Sequence, residues 1–361
     1  MRFLHTADLH LGAVPDADRH WGKERADAVR TSLMRLIDLC IREDVDLLLI
    51  AGDLFDAPPL TQELKDVNFL FSTLPHTKVV LIAGNHDFVR PGSAYSEFCF
   101  APNVFFLSGS APQTVSFPQW NLEVHGFSYD CQELTDRRLE TLSAPRDGKR
   151  HILLAHGGDS LHLPFRTARL AEQGWDYIAL GHLHRPATAL EGRLAFPGSP
   201  EPLDRTETGE HGCFIGELKA DRFSVEWRRL SDFRYTELTV NLSPETTPAA
   251  LEALIRKRVQ DASREVFSLT LAGRRDRSFR PDTEALCRIP NVAAVKDTSE
   301  PDYPWAEWEK RPEHDLLGRY IRALAPAEDT PPAEAALRRR ALDLGLEALL
   351  DTASAGKGVV K

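Results

Sequence analysis

Thiolate is scarce in this 361-residue chain: its five cysteines, Cys40, Cys99, Cys131, Cys213 and Cys287, are odd in number and never spaced as CxxC. That excludes a disulfide framework and a thiolate zinc site, and it fits a reducing compartment. No apolar run approaches the roughly 18 residues a membrane span requires, and the opening MRFLHTAD turns acidic too soon for a signal peptide. A cytoplasmic protein without a membrane partner is expected. Internal repeats and low-complexity tracts are also lacking. The net charge of −10 argues against indiscriminate coating of nucleic acid, although a local basic patch is compatible with it.

What is present is an alternation of short apolar runs and helical patterns through the first two thirds of the chain, the pattern of β-α units feeding parallel strands. Strands are predicted at 2–7, 46–51, 78–83, 104–107, 122–127, 151–155, 176–180, 213–218 and 223–229. The last ones read as antiparallel and hairpin-linked. Helices are predicted at 23–43 and 60–73. After residue 232 a smaller α+β pattern follows: strand 235–241, helix 248–261, strand 266–271, helix 282–287, strand 291–296. Residues 297–312 read as a connector packing through Trp305 and Trp308, and two helices, 315–324 and one opening at Pro331, end the chain.

Five short blocks each directly follow a predicted strand: Asp8-Leu9-His10, Gly52-Asp53-Leu54-Phe55-Asp56, Gly84-Asn85-His86-Asp87, His156-Gly157-Gly158 and Gly181-His182-Leu183-His184. Alone, any one of them is more often a capped turn than a site. In α/β sheets, however, ligands bind beyond the carboxyl ends of strands, so the five converge on one rim. Carboxylates, one amide and five imidazoles without sulfur suit manganese, iron or zinc, and they outnumber what a single ion can use. Two ions sharing a carboxylate account for the excess, with Asp53, behind a glycine, as the bridge. Such a pair activates water for in-line displacement at phosphorus.

The blocks resemble the DxH, GDxxD, GNHD, H and GHxH signature of the calcineurin-like metallophosphoesterase superfamily. ADLHLG, AGDLFD and the later FPGSP at 196–200 resemble its SbcD/YhaO-like DNA-repair exonuclease branch. The resemblance implies an α/β (α+β) fold: a four-layer αββα catalytic sandwich over 1–232, a small α+β DNA-capping domain over 235–298, and a connector with C-terminal helices over 299–361. It also implies two divalent metal ions, most often Mn²⁺, one held by Asp8, His10, Asp53 and His184, the other by Asp53, Asn85, His156 and His182. His86 would act on the scissile phosphate and leaving oxygen, with Asp87 orienting its ring. Archaeal and eukaryotic members usually carry histidine where this chain has Asp56, a departure that favours the bacterial branch.

The other histidines, His5, His20, His76, His125, His151, His162, His211 and His314, read as strand, surface or hydrogen-bonded core residues, with His162 near enough to His156 in sequence to merit attention. Cys40 and Cys213 read as core. Between 256 and 280, eight basic residues (Arg256, Lys257, Arg258, Arg264, Arg274, Arg275, Arg277 and Arg280) stand against Asp261, Glu265 and Asp276. Such a run is usually a solvated face. Within a capping domain it becomes a candidate phosphate-binding surface, with Arg256, Lys257, Arg258, Arg274, Arg275 and Arg277 foremost.

The expected function is a dinuclear-metal DNA nuclease in end processing and repair, with exonuclease and endonuclease modes both open. A cyclic-nucleotide phosphodiesterase and a non-catalytic subunit of an ATPase complex are the alternatives. By the resemblance, the partners are DNA, an SbcC-type coiled-coil ATPase and a second copy of the chain. Leu342, Leu346 and Leu349, at i, i+4 and i+7, are expected to anchor the ATPase contact.

Overall fold

A computed structural model describes residues 1–219, 223–260, 264–308, 310–311, 315–327 and 330–355. Asp261, Pro312 and His314 lie outside them. In chain order the elements are β1 (Arg2–Thr6), α1 (Gly22–Arg42), β2 (Leu47–Ala51), α2 (Thr61–Ser72), β3 (Lys78–Ile82), α3 (Ala94–Glu97), β4 (Val104–Phe106), β5 (Gln113–Phe117), β6 (Leu122–Gly126), β7 (Arg150–His156), α4 (Thr167–Ala171), β8 (Tyr177–Gly181), β9 (Ala187–Ala189), β10 (Leu194–Phe196), β11 (Gly212–Leu218) and β12 (Phe223–Arg229). They continue as β13 (Arg234–Leu242), α5 (Pro248–Val259), β14 (Glu265–Arg275), α6 (Thr283–Leu286), β15 (Val292–Asp297), β16 (Glu300–Pro301), α7 (Trp305–Trp308), α8 (Leu316–Leu324) and α9 (Pro332–Ala355).

Two compact units emerge. The first comprises residues 1–240, 251–271 and 282–297, the second 241–250, 272–281 and 298–361.

The first unit is built on two six-stranded sheets, ordered β12-β11-β1-β2-β3-β4 and β5-β6-β7-β8-β10-β9. Strands β1 to β4 run parallel, as do β6, β7 and β8. The β11-β12 pair is the expected antiparallel hairpin. Successive strand residues face opposite sides, so β2 and β3 each divide between two cores. Leu48, Ile50, Val79 and Leu81 pack with Leu33, Leu36 and Ile37 of α1 and Leu64, Val67 and Phe71 of α2. Leu47, Leu49, Val80 and Ile82 turn inward against Val124, Ile152, Leu154 and Tyr177 of the second sheet. On the outer side of that sheet Leu153 and Ala155 meet Leu139, Leu163, Leu170 and Trp175, a layer of loops and short α4. The order helix, sheet, sheet, outer layer is the expected α/β sandwich.

Helix α1 presents Val29, Leu33, Leu36, Ile37 and Cys40 along one buried stripe. Arg42 complements the dipole of its last turn, and Asp44, at φ 51°, turns the chain out of the helix toward β2. Strands β5, β9, β10 and β16 are not among the expected ones; QTVSF of β5 is mostly exposed and lacks an apolar signature. Strands β13, β14 and β15 form a third sheet. Within the first unit Trp21, Tyr235, Val266 and Ala293 pack together, and the Tyr235 hydroxyl donates to Asp16 at 2.6 Å.

In the second unit Tyr303 and Trp308 join Leu317 and Ile321 of α8 and Leu342 and Leu346 of α9 in one core. Asp315 caps α8 by accepting from Gly318 N at 2.9 Å, and Tyr320 donates to the Ala341 carbonyl at 2.7 Å. Gly345 sits inside a helix because a Cβ there would strike the Tyr320 side chain. This corrects the expected role of the tail leucines. Leu342 and Leu346 are buried in the unit's own core and Leu349 packs against it, whereas Leu337 and Leu344 are exposed.

Candidate metal centre

All five blocks sit at carboxyl ends of neighbouring strands. The loops after β1 and β2 are laced together by Asp8 N to Gly52 O at 3.1 Å, His10 N to Asp53 O at 3.0 Å and Leu11 N to Leu54 O at 3.0 Å. Asp8, His10, Asp53 and His182 all hold positive φ, at 53°, 45°, 49° and 90°. This left-handed region strains residues other than glycine, and such strain concentrates at functional sites. Gly84 is required by contact, since a Cβ there would collide with the Asp53 carboxylate. At Gly52, whose φ is 91°, it would enter the His156 ring.

Asp8, His10, Asp53 and His156 are buried, Asn85, His182 and His184 half-buried, and His86 exposed. Three groups of donor atoms converge: Asp8 with His10 and His184, Asp8 with Asp53 and His156, and His10 with Asp53 and His86. His156 Nδ1 lies 2.8 Å from the Ala51 carbonyl, which can only accept, so that nitrogen carries a proton. His156 Nε2 then faces Asn85 Oδ1 at 2.9 Å and Asp53 Oδ2 at 3.2 Å. His184 Nδ1 donates to Glu207 at 2.7 Å and His10 Nδ1 to Asp56 at 3.2 Å, which turns their two Nε2 atoms toward each other at 3.2 Å. His10 Nε2 is also 3.7 Å from Asp53 Oδ2. Nitrogen and oxygen acceptors facing one another need a cation between them, and the donor set fits two divalent ions around Asp53.

In the metal-free chain protons take up that charge. Burial disfavours an ionised His156, but Asp53 and Asp8 beside it more than compensate and raise it to about 9. His184 likewise rises to about 9, against its own burial, because it is hydrogen-bonded to Glu207. Burial pushes Asp53 up, and His156, His10 and His86 hold it well below the usual carboxylate range nonetheless.

His182 anchors through its backbone, donating to both Asp8 oxygens at 2.9 and 3.0 Å, and its Nε2 lies 2.7 Å from Asp159. That leaves Nδ1 as its free ring nitrogen. Asp159 also holds His162 Nδ1 at 2.9 Å, and the His162 ring stands 4.4 Å from that of His182. His162 thus belongs to the surroundings of a candidate ligand. Glu207 and Asp159 are the residues sequence reasoning missed; no spacing or motif marks either.

His86 donates its backbone N–H to Asp53 at 2.9 Å, and its ring stands edge-on to His10 at 4.7 Å. Its Nδ1 meets the Asp56 carbonyl at 3.2 Å, leaving Nε2 as the ring nitrogen open to a substrate. Asp87 does not orient it, contrary to expectation. The Asp87 carboxylate is buried and accepts from Gly84 N at 2.7 Å, Tyr95 OH at 3.0 Å and Phe55 N at 3.2 Å, pinning the two loops together. Burial, with Asp53 nearby, raises it to about 6.

The basic run divides. Arg256, Lys257 and Arg258 are exposed on α5 in the first unit, with Arg256 paired to Glu252 at 2.8 Å. Arg274 and Arg277 are exposed in the second, with Arg274 3.3 Å from Asp302. Arg275 leaves the candidate surface: it is buried and donates to the Phe279 carbonyl at 2.8 Å. No helix among the described residues is long and apolar enough to cross a membrane.

The calcineurin-like phosphoesterase family model matches residues 1–186. The chain is 27% identical over 275 residues to the uncharacterized metallophosphoesterase YhaO of Bacillus subtilis, covering 71% of this chain and 66% of that protein. It is 25% identical over 300 residues to the DNA double-strand break repair protein Mre11 of Sulfolobus acidocaldarius, covering 76% and 75%. With a subunit of the SbcCD nuclease of Rhodobacter capsulatus it shares 25% identity over 276 residues, covering 60% and 66%. The chain spans about two thirds to three quarters of the length of these relatives. A family match over more than half the chain, on the residues whose donor atoms converge here, makes this protein a member of the calcineurin-like phosphoesterase family.

Proposed function

We propose that this phosphoesterase is a manganese-dependent DNA nuclease. The observation that carries the catalytic part is the double convergence on Asp53, with His10 and His184 on one side and His156 and Asn85 on the other. Asp8, His10, Asp53 and His184 would hold one ion and Asp53, Asn85, His156 and His182 the other. Two divalent ions held there would supply the charge that makes water nucleophilic and neutralises a phosphodiester. Asp56 and Glu207 fix the rings of His10 and His184, so each presents Nε2 inward, and Asp159 holds the His182 ring through its Nε2. His86 reaches the phosphate from the exposed side; as the imidazolium it gives its Nε2 proton to the leaving oxygen and is left neutral with the Nδ1 proton on the Asp56 carbonyl.

DNA as substrate is supported by relatives named as a break-repair protein and a nuclease component, whose matches run beyond the catalytic blocks. The exposed Arg256, Lys257 and Arg258 of the first unit, and separately Arg274 and Arg277 of the second, supply phosphate-neutralising charge. An SbcC-type ATPase and a second copy of the chain are the proposed protein partners. Because Leu342 and Leu346 are buried, the ATPase contact on α9 falls to Leu337 and Leu344, which are two turns apart on one face. The purified chain is incubated with Mn²⁺ and end-labelled linear duplex, hairpin and single-stranded DNA beside a cyclic nucleotide. Cleavage of DNA supports the reading; consumption of the cyclic nucleotide alone overturns it.

A further inference from the structure

Away from the catalytic rim, at the amino end of β7, the outer face of the second sheet gathers another set of ligand-type side chains. Glu123 and His125 lie two residues apart on β6 and therefore share a face, and His151 on β7 pairs in register with Glu123. His125 Nε2 is 2.9 Å from His151 Nδ1, and Glu123 Oε2 is 3.7 Å from the first and 3.8 Å from the second. The point equidistant from three atoms at those separations lies about 2 Å from each, the length of a zinc bond to imidazole or carboxylate.

The surroundings hold the three atoms inward. His151 Nε2 meets the Asp147 carboxylate at 3.0 Å, which places its proton there and leaves Nδ1 with a lone pair. His125 Nδ1 meets Thr114 Oγ1 at 2.9 Å. Glu123 Oε1 accepts from Ser116 at 2.9 Å and from Lys149 at 2.5 Å, so Oε2 is the oxygen left for the imidazoles. The facing charged groups are Glu123, Asp147 and Lys149, a net negative set that favours a cation. The His151 side chain is 2% exposed and those of His125 and Glu123 are 13%, so the cluster is enclosed yet reachable.

A chain of hydrogen bonds from Thr114 through His125 and His151 to Asp147 would satisfy the rings without an ion. It gives Glu123 Oε2 no role, since that atom stands beyond hydrogen-bond reach of both nitrogens and almost equally far from each. We infer that Glu123, His125 and His151 form a zinc site separate from the catalytic centre, with water as a fourth ligand, clasping β6 to β7. Two imidazoles and one carboxylate with an open position is an established zinc ligand set.

The test is the zinc content of the full chain, stripped with chelator, reloaded with Zn²⁺ and desalted. The wild type should retain one equivalent more than Glu123→Gln or His125→Ala, and Mn²⁺-dependent hydrolysis of a generic phosphodiester should persist in Glu123→Gln. Loading with Co²⁺ should give the intense visible absorption of four-coordinate cobalt in the wild type and lose it in Glu123→Gln. His125→Ala opens space beside Trp175, so a cooperative thermal melt checks each variant, and the isosteric Glu123→Gln decides if the other fails to fold. Equal zinc in the wild type and every folded variant overturns the site and leaves the hydrogen-bond chain.

Discussion

Asp56 accepts a hydrogen bond from His10 Nδ1 at 3.2 Å, and that contact turns His10 Nε2 toward His184. Asp56 thus orients a candidate ligand. Asp56→Ala should weaken metal binding by about 10- to 100-fold, the usual effect of removing the partner of a ligating imidazole. A Mn²⁺ titration followed by calorimetry measures it; unchanged affinity would show that His10 needs no orientation.

His86→Ala should keep both ions and lose about 10²- to 10⁴-fold in turnover, because the ring acts on the phosphate and not on the metal. Elemental analysis beside a rate measurement separates the two. A fall in metal content would make His86 a ligand.

The metal-free chain should lose thermal stability as pH rises from about 6.5 to about 9. His156 and His184 are raised from an ordinary 6.5 to about 9 in the folded state, so their stabilising charge is fully present below 6.5 and disappears on passing through 9. Metal binding requires the deprotonated rings, so the loaded protein should not show this loss, and Mn²⁺ uptake near neutral pH should release protons. Calorimetric melts of both forms across this range check the sign; parallel curves would contradict it.

Neutralising Arg274 and Arg277 should weaken duplex binding and lower the slope of log K against log salt by about 0.9 per lost phosphate contact. Hydrolysis of a small chromogenic phosphodiester should not change. Arg275 is left in place because its side chain is buried in the fold. An unchanged slope would make the two arginines an ordinary solvated face.

Leu346→Ala should destabilise the second unit by about 2–5 kcal/mol, the cost of emptying a fully buried leucine site, whereas Leu337→Ala should cost little. Urea unfolding of the two variants distinguishes them. If only Leu337→Ala abolishes association with the ATPase, α9 presents its exposed face to the partner.

What the sequence made legible and what it hid have different physical origins. Asp8, Asp53, Asn85, His156 and His182 could be read because each follows a strand whose end the sheet order fixes, so one-dimensional spacing carries three-dimensional meaning. Glu207 and Asp159 could not, since each meets its histidine from a position 23 residues away in the chain, with no period to record the contact. Asp87 was misread because adjacency to His86 suggested a partner, while its burial turns the carboxylate to Gly84 N, Phe55 N and Tyr95 OH. The tail leucines were legible as an apolar stripe, but a stripe does not say what covers it, and here Tyr303, Trp308 and α8 do. In the same way His125 and His151 read singly as ordinary strand histidines; only the register of β6 on β7 brings them together with Glu123.

The most direct measurement of the central claim is anomalous diffraction from crystals of the chain soaked in Mn²⁺. Two peaks are expected, one against Asp8, His10 and His184 and one against Asn85, His156 and His182, both in contact with Asp53, and both weakened in Asp53→Asn. A single peak, or two peaks of which one does not touch Asp53, would contradict the dinuclear centre.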